Sequence, residues 1–298
     1  MALAAILALV TPKPAIAHII HDLRPSEVTN LDREAVTKLA EGLGCSYIER
    51  AIHIKDQPGN AEHNARTARY ECLAEIAKEH GIDYIATGHH ADDQLETMLM
   101  NLSRGSGPRG LAGIHESRPY QGITIIRPML CITHQNALDI CNLANIQFTY
   151  DHTNDDQSLT RNRLRHRLLP ECRAFDPDIA TRASTGAESI RSMVNAFDQM
   201  VLDHIWPKAA LQEQSITWTR TSLREQLDAV IYVILRQCVI HLSQGRGLDQ
   251  ITNQSVTDII RVITDSSTEP RTCRLGPIVV AVTANHITMT PFRTGNES

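Results

Sequence analysis

The chain has 298 residues, which suffices for one large domain or two ordinary ones. Its formal net charge of −5 excludes a uniformly basic nucleic-acid-binding protein, although a local basic patch is compatible with it. Seven cysteines stand at wide spacings without a C-x-x-C pair, which excludes a disulfide framework or a cysteine-rich zinc site and suits a reducing cytoplasm.

Strand and helix patterns alternate through the first half of the chain. The opening "MALAAILALVTPKPAIA" ends in an A-x-A that fits a secretory signal peptide, but no Lys or Arg precedes its apolar run, and we favour a short helix leading into a strand. Strands are predicted near residues 15–20, 46–54, 82–87 and 122–127, and helices near 27–43, 61–80, 91–102 and 133–145. This alternation predicts an α/β fold with a doubly wound parallel sheet and helices on both faces.

The second half of the chain has a different pattern. After the polar loop "DHTNDDQSLT", the sequence from residue 161 to about 204 is helical without strands. The remainder combines the long apolar helix "LREQLDAVIYVILRQCVIHL", a second helix near 254–264, and β-like runs such as "GPIVVAVT" and "HITMT". We therefore predict an α/β domain over residues 1–150, a helical region over 151–205 and a helical and α+β part over 206–298.

Polar groups are concentrated in "GHHADDQLET", residues 88–97. If a helix begins near Ala91, then His89, Asp93 and Glu96 lie on one face, at the carboxyl edge of a parallel sheet where ligands bind. Such groups can hold Mg²⁺, position a nucleotide or act as a base. The alternative is a solvated helix start whose acids complement the helix dipole. Zinc fits less well, because "HHADD" does not match H-E-x-x-H.

The glycine-rich stretch "GSGPRG", residues 105–110, matches G-x-G-x-x-G. It follows a helical pattern, whereas a dinucleotide-binding motif follows a strand, so we favour a flexible loop. Because Arg104 and Arg109 flank the glycines, a phosphate-contacting loop is the alternative.

Two further stretches carry groups suited to phosphate or substrate. "ARTARY" places Arg66, Arg69 and Tyr70 within about one helical turn, where guanidinium groups can reach a phosphate or an RNA backbone, although solvated surface arginines are commoner. "HDLR" places His21 and Asp22 directly after an apolar strand, again at the carboxyl edge.

The stretch "RNRLRHRLLP" is strongly basic. Between residues 161 and 173 stand five arginines against one glutamate, which is a local footprint for a polyanion in a chain that is acidic overall. The alternative is a solvated helix that packs on Leu164 and Leu168.

Taken in order, "HIIHDLR", "NARTARYECLAEIA", "YIATGHHADDQLETMLMNLSRGSGPRGLAGI", "IIRPML" and "DHTNDDQSLTRNRLRHRLLP" resemble the tRNA(Ile) lysidine synthetase family of PP-loop ATP pyrophosphatases. The resemblance is close over residues 1–170 and looser beyond. It implies a PP-loop, adenine nucleotide hydrolase-like fold and a cytoplasmic ligase. With ATP and Mg²⁺, that ligase adenylates the wobble cytidine of tRNA(Ile) with a CAU anticodon, and free L-lysine then displaces AMP. A homodimer is left open.

The implied chemistry assigns roles to the residues above. The lysine amine must lose a proton, and Asp93 or Glu96 are candidates for accepting it, without a way to choose between them. The predicted residues are Asp93, Glu96 and His89 for catalysis, with Asp93 and Glu96 also as Mg²⁺ ligands; His21, Asp22, His90, Asp92, Arg66, Arg69 and Tyr70 for ATP or substrate; and Arg104, Arg109, Arg161, Asn162 and Arg165 for tRNA.

One departure from the family concerns its S-G-G-x-D-S loop, which this sequence does not contain. Backbone amides of that loop bind the ATP pyrophosphate, so we expect weak ATP binding, and we expect the central first strand to be missing, leaving an apolar slot in the sheet. A start placed too late or a truncated gene would account for this. The alternatives are a tRNA-binding remnant without ATPase activity and a tRNA thiolase of the same superfamily, against which the lack of C-x-x-C counts.

Overall fold

The computed structural model describes residues 1–11, 14–22, 26–55, 59, 61–147 and 160–292. The chain divides into two compact units, Met1–Arg191 and Ser192–Ser298. No helix in the described ranges is long and apolar enough to cross a membrane. The three-part domain division stays a prediction, and the predicted polar loop lies outside the described residues except for its last position.

The first unit begins with alternating helices and strands. Its elements are α1 (Ala2–Val10), β1 (Ala15–His21), α2 (Ser26–Leu43), β2 (Ser46–Ile52), α3 (Ala61–Glu79), β3 (Tyr84–Ala86), α4 (Ala91–Ser103), α5 (Pro108–Leu111), β4 (Ser117–Tyr120), β5 (Ile123–Ile126) and α6 (His134–Leu143). Strand β1 pairs with β2 in parallel, and β3 pairs with β5 in parallel. The predicted positions of these strands and helices are confirmed.

Strand β4 was not predicted, and it pairs with β5 in antiparallel orientation. Its sequence "SRPY" contains a proline and an arginine, so it shows no apolar alternation. Such residues are tolerated because β4 is an edge strand, which needs to pair on one side only.

The parallel strands form two sheets, β1–β2 and β3–β5–β4, that share one helix. Helix α3 packs against strands of both sheets. Between β1 and β3 lies a cavity of about 540 Å³, with Ile16, Ile85, Leu7 and Ile76 among its lining residues. An apolar slot beside β1, as expected from the sequence, is therefore present.

The helical region is interrupted once by a wider turn. It comprises α7 (Thr160–Arg163), a π-helical turn over Leu164–Leu168, α8 (Leu169–Phe175) and α9 (Ile179–His204). Pro170 has no N–H to donate to the carbonyl four residues earlier, and the helix accommodates it with a π turn in which the Leu169 N–H donates to the Leu164 carbonyl. The prediction of helices without strands from residue 161 to 204 is confirmed over this range.

The second unit is α+β. Its elements are β6 (Ala210–Gln212), β7 (Ser215–Thr219), α10 (Arg220–Arg224), α11 (Asp228–Ser243), α12 (Asn253–Thr264), β8 (Arg271–Leu275), β9 (Ile278–Val282) and β10 (His286–Pro291). The strands form an antiparallel sheet in the order β6–β7–β10–β9–β8. Its core includes Ile231, Ile234, Leu235 and Cys238 of α11, whose helical spacing places them on one buried face. The α/β class with a helical region and an α+β C-terminal part is thus confirmed.

Two details of this unit differ from the sequence prediction. The single helix predicted over residues 223–242 is two helices, because Leu227 adopts an extended conformation (φ −67°, ψ 148°) before α11 begins. Strands β6, β7 and β8 were not predicted, although β7 reads "SITWT" and alternates between more and less buried positions. Strands β6 and β8 are edge strands, and β8 reads "RTCRL", whose arginines hide the alternation of buried and exposed positions.

Candidate functional site

The acidic cluster lies where β3 ends and α4 begins. Ala86 is the last residue of β3, His90 precedes α4 in an extended conformation, and the His90 N–H donates a hydrogen bond of 3.0 Å to Asp93 Oδ2. This bond satisfies one of the N–H groups that have no partner within the first turn of a helix. The predicted helix start near Ala91, following a strand, is confirmed.

The carboxylates of α4 are buried rather than solvated. Asp92, Asp93 and Glu96 are 3%, 9% and 1% exposed, respectively. The interpretation of this stretch as a solvated helix start is therefore wrong. Burying carboxylates without partners would cost several kcal/mol each, so their partners decide what the site can do.

Those partners are arginines from the helix that contains the π turn. The Arg165 guanidinium binds two of these three carboxylates. Its Nε lies 2.5 Å from Glu96 Oε1, and its Nη2 lies 3.0 Å from Asp93 Oδ1. Arg161 Nε forms an ion pair of 3.0 Å with Glu96 Oε2. Three of the five arginines in this basic stretch thus contact acids of α4, the third being Arg173, which lies 2.6 Å from Asp92 Oδ1.

The tRNA-binding roles of Arg161, Asn162 and Arg165 stay predictions. The two arginines make the ion pairs described above, and Asn162 is only 5% exposed. Arg163 and Arg167 on the same helix are exposed.

Burial and ion pairing shift the proton affinities of these acids in opposite directions. Burial raises the pKa of Glu96, and the Arg165 guanidinium opposes this without cancelling it. Burial also acts to raise the pKa of Asp92, but the His134 N–H and the Arg173 guanidinium outweigh it and hold that pKa below its usual value. The His134 N–H donates to Asp92 Oδ2 at 2.6 Å, which ties the start of α6 to the cluster.

Two histidines border the carboxylates and are both held in the neutral form. Burial lowers the pKa of His89 to about 4, with Asp93 opposing this effect and nearby arginines adding to it. Thr87 Oγ1 lies 2.9 Å from His89 Nδ1 and orients the ring. Burial also lowers the pKa of His90, whose ring nitrogens lie 3.5 Å from carboxylate oxygens of Asp92 and Asp93.

Tyr70 is the centre of a second, cationic cluster. The guanidinium carbons of Arg66 and Arg118 lie 5.4 Å and 5.0 Å from the centroid of its ring. Arg127 is 5% exposed, and its Nη1 donates a 2.5 Å hydrogen bond to the His115 carbonyl. Sequence analysis selected Arg66 and Tyr70 but missed Arg118 and Arg127. The available signal was the position of Arg127 directly after a β pattern, at the sheet edge where ligands bind.

The remaining predicted residues lie on two loops. "GSGPRG" is a turn after α4 followed by the single-turn helix α5, as the loop interpretation expects, and Arg104 beside it is exposed. The Asn101 amide donates to the Gly110 carbonyl at 2.8 Å and ties this turn to α4. Phosphate or tRNA contact by Arg104 and Arg109 stays a prediction.

A cavity of about 250 Å³ lies along the carboxyl half of β1, where His21 and Arg69 are among its lining residues. Asp22 Oδ1 accepts the Ile54 N–H at 2.8 Å, so its carboxylate joins the ends of β1 and β2. This hydrogen bond holds the pKa of Asp22 below its usual value.

The donor groups do not fit a metal ion held by the protein. Among the described residues, no three His, Cys, Asp or Glu side chains are arranged to hold one. The two predicted Mg²⁺ ligands, Asp93 and Glu96, instead share the Arg165 guanidinium. A cationic N–H donor suits this pair better than a hard metal ion does.

Comparisons with known proteins agree with this architecture. A family model described as a PP-loop domain matches residues 1–172. The tRNA(Ile)-lysidine synthase of Bacillus cereus is 40% identical over 168 residues, which cover 55% of this chain and 35% of that protein. The tRNA(Ile)-lysidine synthase of Nostoc is 35% identical over 206 residues, covering 68% of this chain and 56% of the relative.

Among solved structures, the U34-tRNA thiolase NcsA from Methanococcus maripaludis with its 4Fe-4S cluster is 17% identical, with a TM-score of 0.49 over 63% of this chain and 66% of that one. The chain spans about a third of the length of the Bacillus relative and just over half of the Nostoc relative.

Proposed function

Since the chain belongs to the PP-loop domain family, we propose that it joins L-lysine to the wobble cytidine of tRNA(Ile) at the expense of ATP, forming lysidine. The observation that carries this proposal is the buried carboxylate pair of Asp93 and Glu96, which binds a guanidinium at the carboxyl edge of β3 beside a neutral histidine. Such a pair is suited to a cationic amine, and free lysine carries two ammonium groups.

The carboxylate pair would orient the lysine. Glu96 and Asp93 already accept hydrogen bonds from two nitrogens of the Arg165 guanidinium, so they can also accept hydrogen bonds from an ammonium group. Their burial strengthens this attraction, because water does not screen it. In our proposal lysine replaces the Arg165 contacts, and Arg165 turns towards the anionic nucleotide or RNA.

His89 is our choice for the proton acceptor among the three predicted catalytic residues. Its pKa of about 4 keeps the imidazole neutral near pH 7, and burial is the main cause. A neutral ring can accept a proton, although its low pKa makes it a weak base, whereas the Asp93 and Glu96 oxygens are engaged by Arg165 before lysine binds and by the lysine ammonium group afterwards. The Thr87 hydroxyl fixes the ring orientation that this role requires.

The reaction proposed has two steps. In the first, the cytidine oxygen attacks the α-phosphorus of ATP and pyrophosphate leaves. In the second, the lysine amine attacks the base carbon that carries this oxygen, the carbon–oxygen bond breaks, AMP leaves, and the amine proton passes to His89. Negative charge develops on phosphate oxygens in both steps, so cationic groups near the cluster would stabilise it.

ATP would lie along the carboxyl half of β1, where His21 and Arg69 line the cavity, and we expect it to bind weakly because the sequence has no S-G-G-x-D-S loop. Mg²⁺ is the usual companion of nucleotide phosphates, but no step of this mechanism is assigned to it, because Asp93 and Glu96 are held by an arginine. The roles of Asp22, His90 and Asp92 in nucleotide or substrate binding are part of the same proposal.

The test is incorporation of radiolabelled lysine into tRNA(Ile), together with AMP release. Both should require ATP, lysine and the cognate tRNA. Glu96→Gln and His89→Gln should each lower the rate at least about a hundredfold, the typical contribution of a positioned acid or base. Glu79→Gln, which removes a surface ion pair with Arg50, is the matched control and should keep the wild-type rate.

Equal AMP release without lysine, and no lysine in the tRNA, would contradict the proposal. Binding of tRNA without binding of ATP would instead favour a tRNA-binding remnant. A thiolase is disfavoured, because the seven cysteines are free and lie on different elements without a C-x-x-C pair.

A further inference from the structure

The arginines around Tyr70 have no acidic partner in the described part of the chain. Arg66 and Arg118 lie over the Tyr70 ring, and Arg118 also lies 5.2 Å from the centroid of the Tyr120 ring. No described Asp or Glu oxygen lies within 4.0 Å of the guanidinium nitrogens of Arg66, Arg118 or Arg127. The cluster therefore concentrates positive charge without neutralising it.

This arrangement differs from that of two other arginines in the described ranges. The half-buried Arg165 is paired with Glu96 and Asp93, and the buried Arg220 is paired with Asp265. By contrast, Arg127 is 5% exposed, and its Nη1 donates to a backbone carbonyl rather than to a carboxylate. A buried cation with no counter-charge is costly, and a bound anion would offset that cost.

Hydrogen-bond donors are also left over in the cluster. The Nε atoms of Arg118 and Arg127 are both buried and have no hydrogen-bond acceptor among the described residues. A guanidinium offers five N–H donors in one plane, a geometry that matches the oxygens of a phosphate. A ligand with negative charge and hydrogen-bond acceptors would therefore satisfy both the buried N–H groups and the positive charge of the cluster.

The cluster lies at the same sheet edge as the carboxylates of α4. Arg127 directly follows β5, His89 follows β3, and these two strands are paired in parallel. Burial is the main cause of the low pKa of His89, and the charges of Arg127 and Arg66 act in the same direction. An anion held here would be next to the carboxylate pair.

We propose that Arg118 and Arg127, together with Arg66 and the hydroxyl of Tyr70, form a binding site for a phosphate group. The proposal that this site binds an anion depends on these four residues alone. Whether the phosphate belongs to ATP or to the tRNA backbone rests on the proposed function, since both would be present in that reaction.

The test measures binding of inorganic pyrophosphate, ATP and tRNA to the whole chain by calorimetry. Replacing one arginine that makes charge-assisted hydrogen bonds should weaken binding about tenfold or more. Arg118→Gln, and Arg66→Gln at an exposed position, should each lower the affinity for at least one of the three ligands by that factor. Arg261→Gln, whose side chain is 75% exposed on α12, is the control and should bind all three as the wild type does.

Each outcome of these measurements either supports the proposed phosphate site or contradicts it. Weaker ATP and pyrophosphate binding with unchanged tRNA binding would place a nucleotide phosphate there, and the reverse would place an RNA phosphate there. Unchanged binding of all three ligands by both variants would overturn the proposal. If Arg118→Gln does not fold, Arg66→Gln decides the matter. Because binding is measured without lysine, a loss of phosphate binding is distinguishable from a failure of the lysine reaction.

Discussion

At the scale of single residues, the neighbours of a carboxylate determine its chemistry. An exposed acid in the first turn of a helix contributes only a few tenths to about 1 kcal/mol through the helix dipole. Asp93 and Glu96 are instead buried against Arg165, so their charges are coupled to another helix. Replacing either acid, or Arg165, should therefore affect stability as well as catalysis.

We predict that Arg165→Ala lowers the free energy of unfolding by about 3–5 kcal/mol, because it leaves two buried carboxylates without their shared partner. Urea denaturation at neutral pH measures this change. Adding Glu96→Gln to the variant removes one of the two buried negative charges, of which Arg161 still contacts only Glu96, and should restore part of the loss. A loss below about 1 kcal/mol would mean that water reaches these carboxylates freely.

We predict that His89 makes the protein less stable as the pH falls. Its pKa is about 4 in the folded protein, against an ordinary value of 6.5, so the unfolded chain takes up the proton first. The stabilisation is complete above pH 6.5 and is lost as the pH falls towards 4, by about 2 kcal/mol near pH 5.

Urea denaturation of the wild type and of His89→Gln at several pH values isolates this contribution, since glutamine does not titrate and can still bond to the Thr87 hydroxyl. Parallel stability profiles for the two proteins would show that His89 titrates normally.

At the scale of elements, the site depends on how α4 is tied to its surroundings. The helix that contains the π turn supplies Arg161, Arg165 and Arg173 to α4. On the other side, the Gln94 amide accepts the Ile114 N–H at 2.6 Å and so holds the loop after α5. Gly113, which has φ +61°, lies directly against this amide.

We predict that Gly113→Ala destabilises the protein by more than the 1–2 kcal/mol expected for a left-handed backbone alone. An added Cβ would lie 2.7 Å from Gln94 Nε2, so the buried amide would have to move. Gly81→Ala is the matched control, because Gly81 has φ +63° and nothing within 4 Å of an added Cβ. If urea denaturation showed the same loss in the free energy of unfolding for both variants, the Gln94 amide would be able to move aside without an energetic cost.

At the scale of the whole molecule, positive charge is distributed unevenly. The chain has a net charge of −5, yet five arginines are close together between residues 161 and 173. Arg161, Arg165 and Arg173 are neutralised by the acids of α4, whereas Arg163 is exposed. An RNA backbone would therefore meet the outward arginines of this helix first.

We predict that Arg163→Ala weakens tRNA binding for all sequences and reduces the slope of log K against log salt concentration by about one, as expected for the loss of one phosphate contact. The free energy of unfolding should change by no more than about 0.5 kcal/mol, because the side chain is exposed. Filter binding at several salt concentrations measures the slope, with Arg261→Ala on α12 as the control. An unchanged slope and affinity would assign this face of the helix to solvent.

The sequence by itself determined the order of most elements and the position of the candidate site. Alternating apolar and polar residues determine strands and helices locally, so β1, β2, β3, β5 and the start of α4 could be placed before the fold was seen. The carboxyl edge of a parallel sheet then located the polar cluster of residues 88–97. Edge strands such as β4 were not predicted, because their sequences need not alternate between apolar and polar residues.

Only the tertiary structure decided what the charged residues contact. Asp93 and Arg165 are 72 residues apart in sequence, and no local pattern indicates that they are partners. The same applies to Arg118, Arg127 and Tyr70, which belong to β4, to the residue after β5 and to the middle of α3 and come together only through the packing of these elements. Burial and pairing depend on packing between distant elements, and those interactions turned an apparently solvated helix start into a buried carboxylate site.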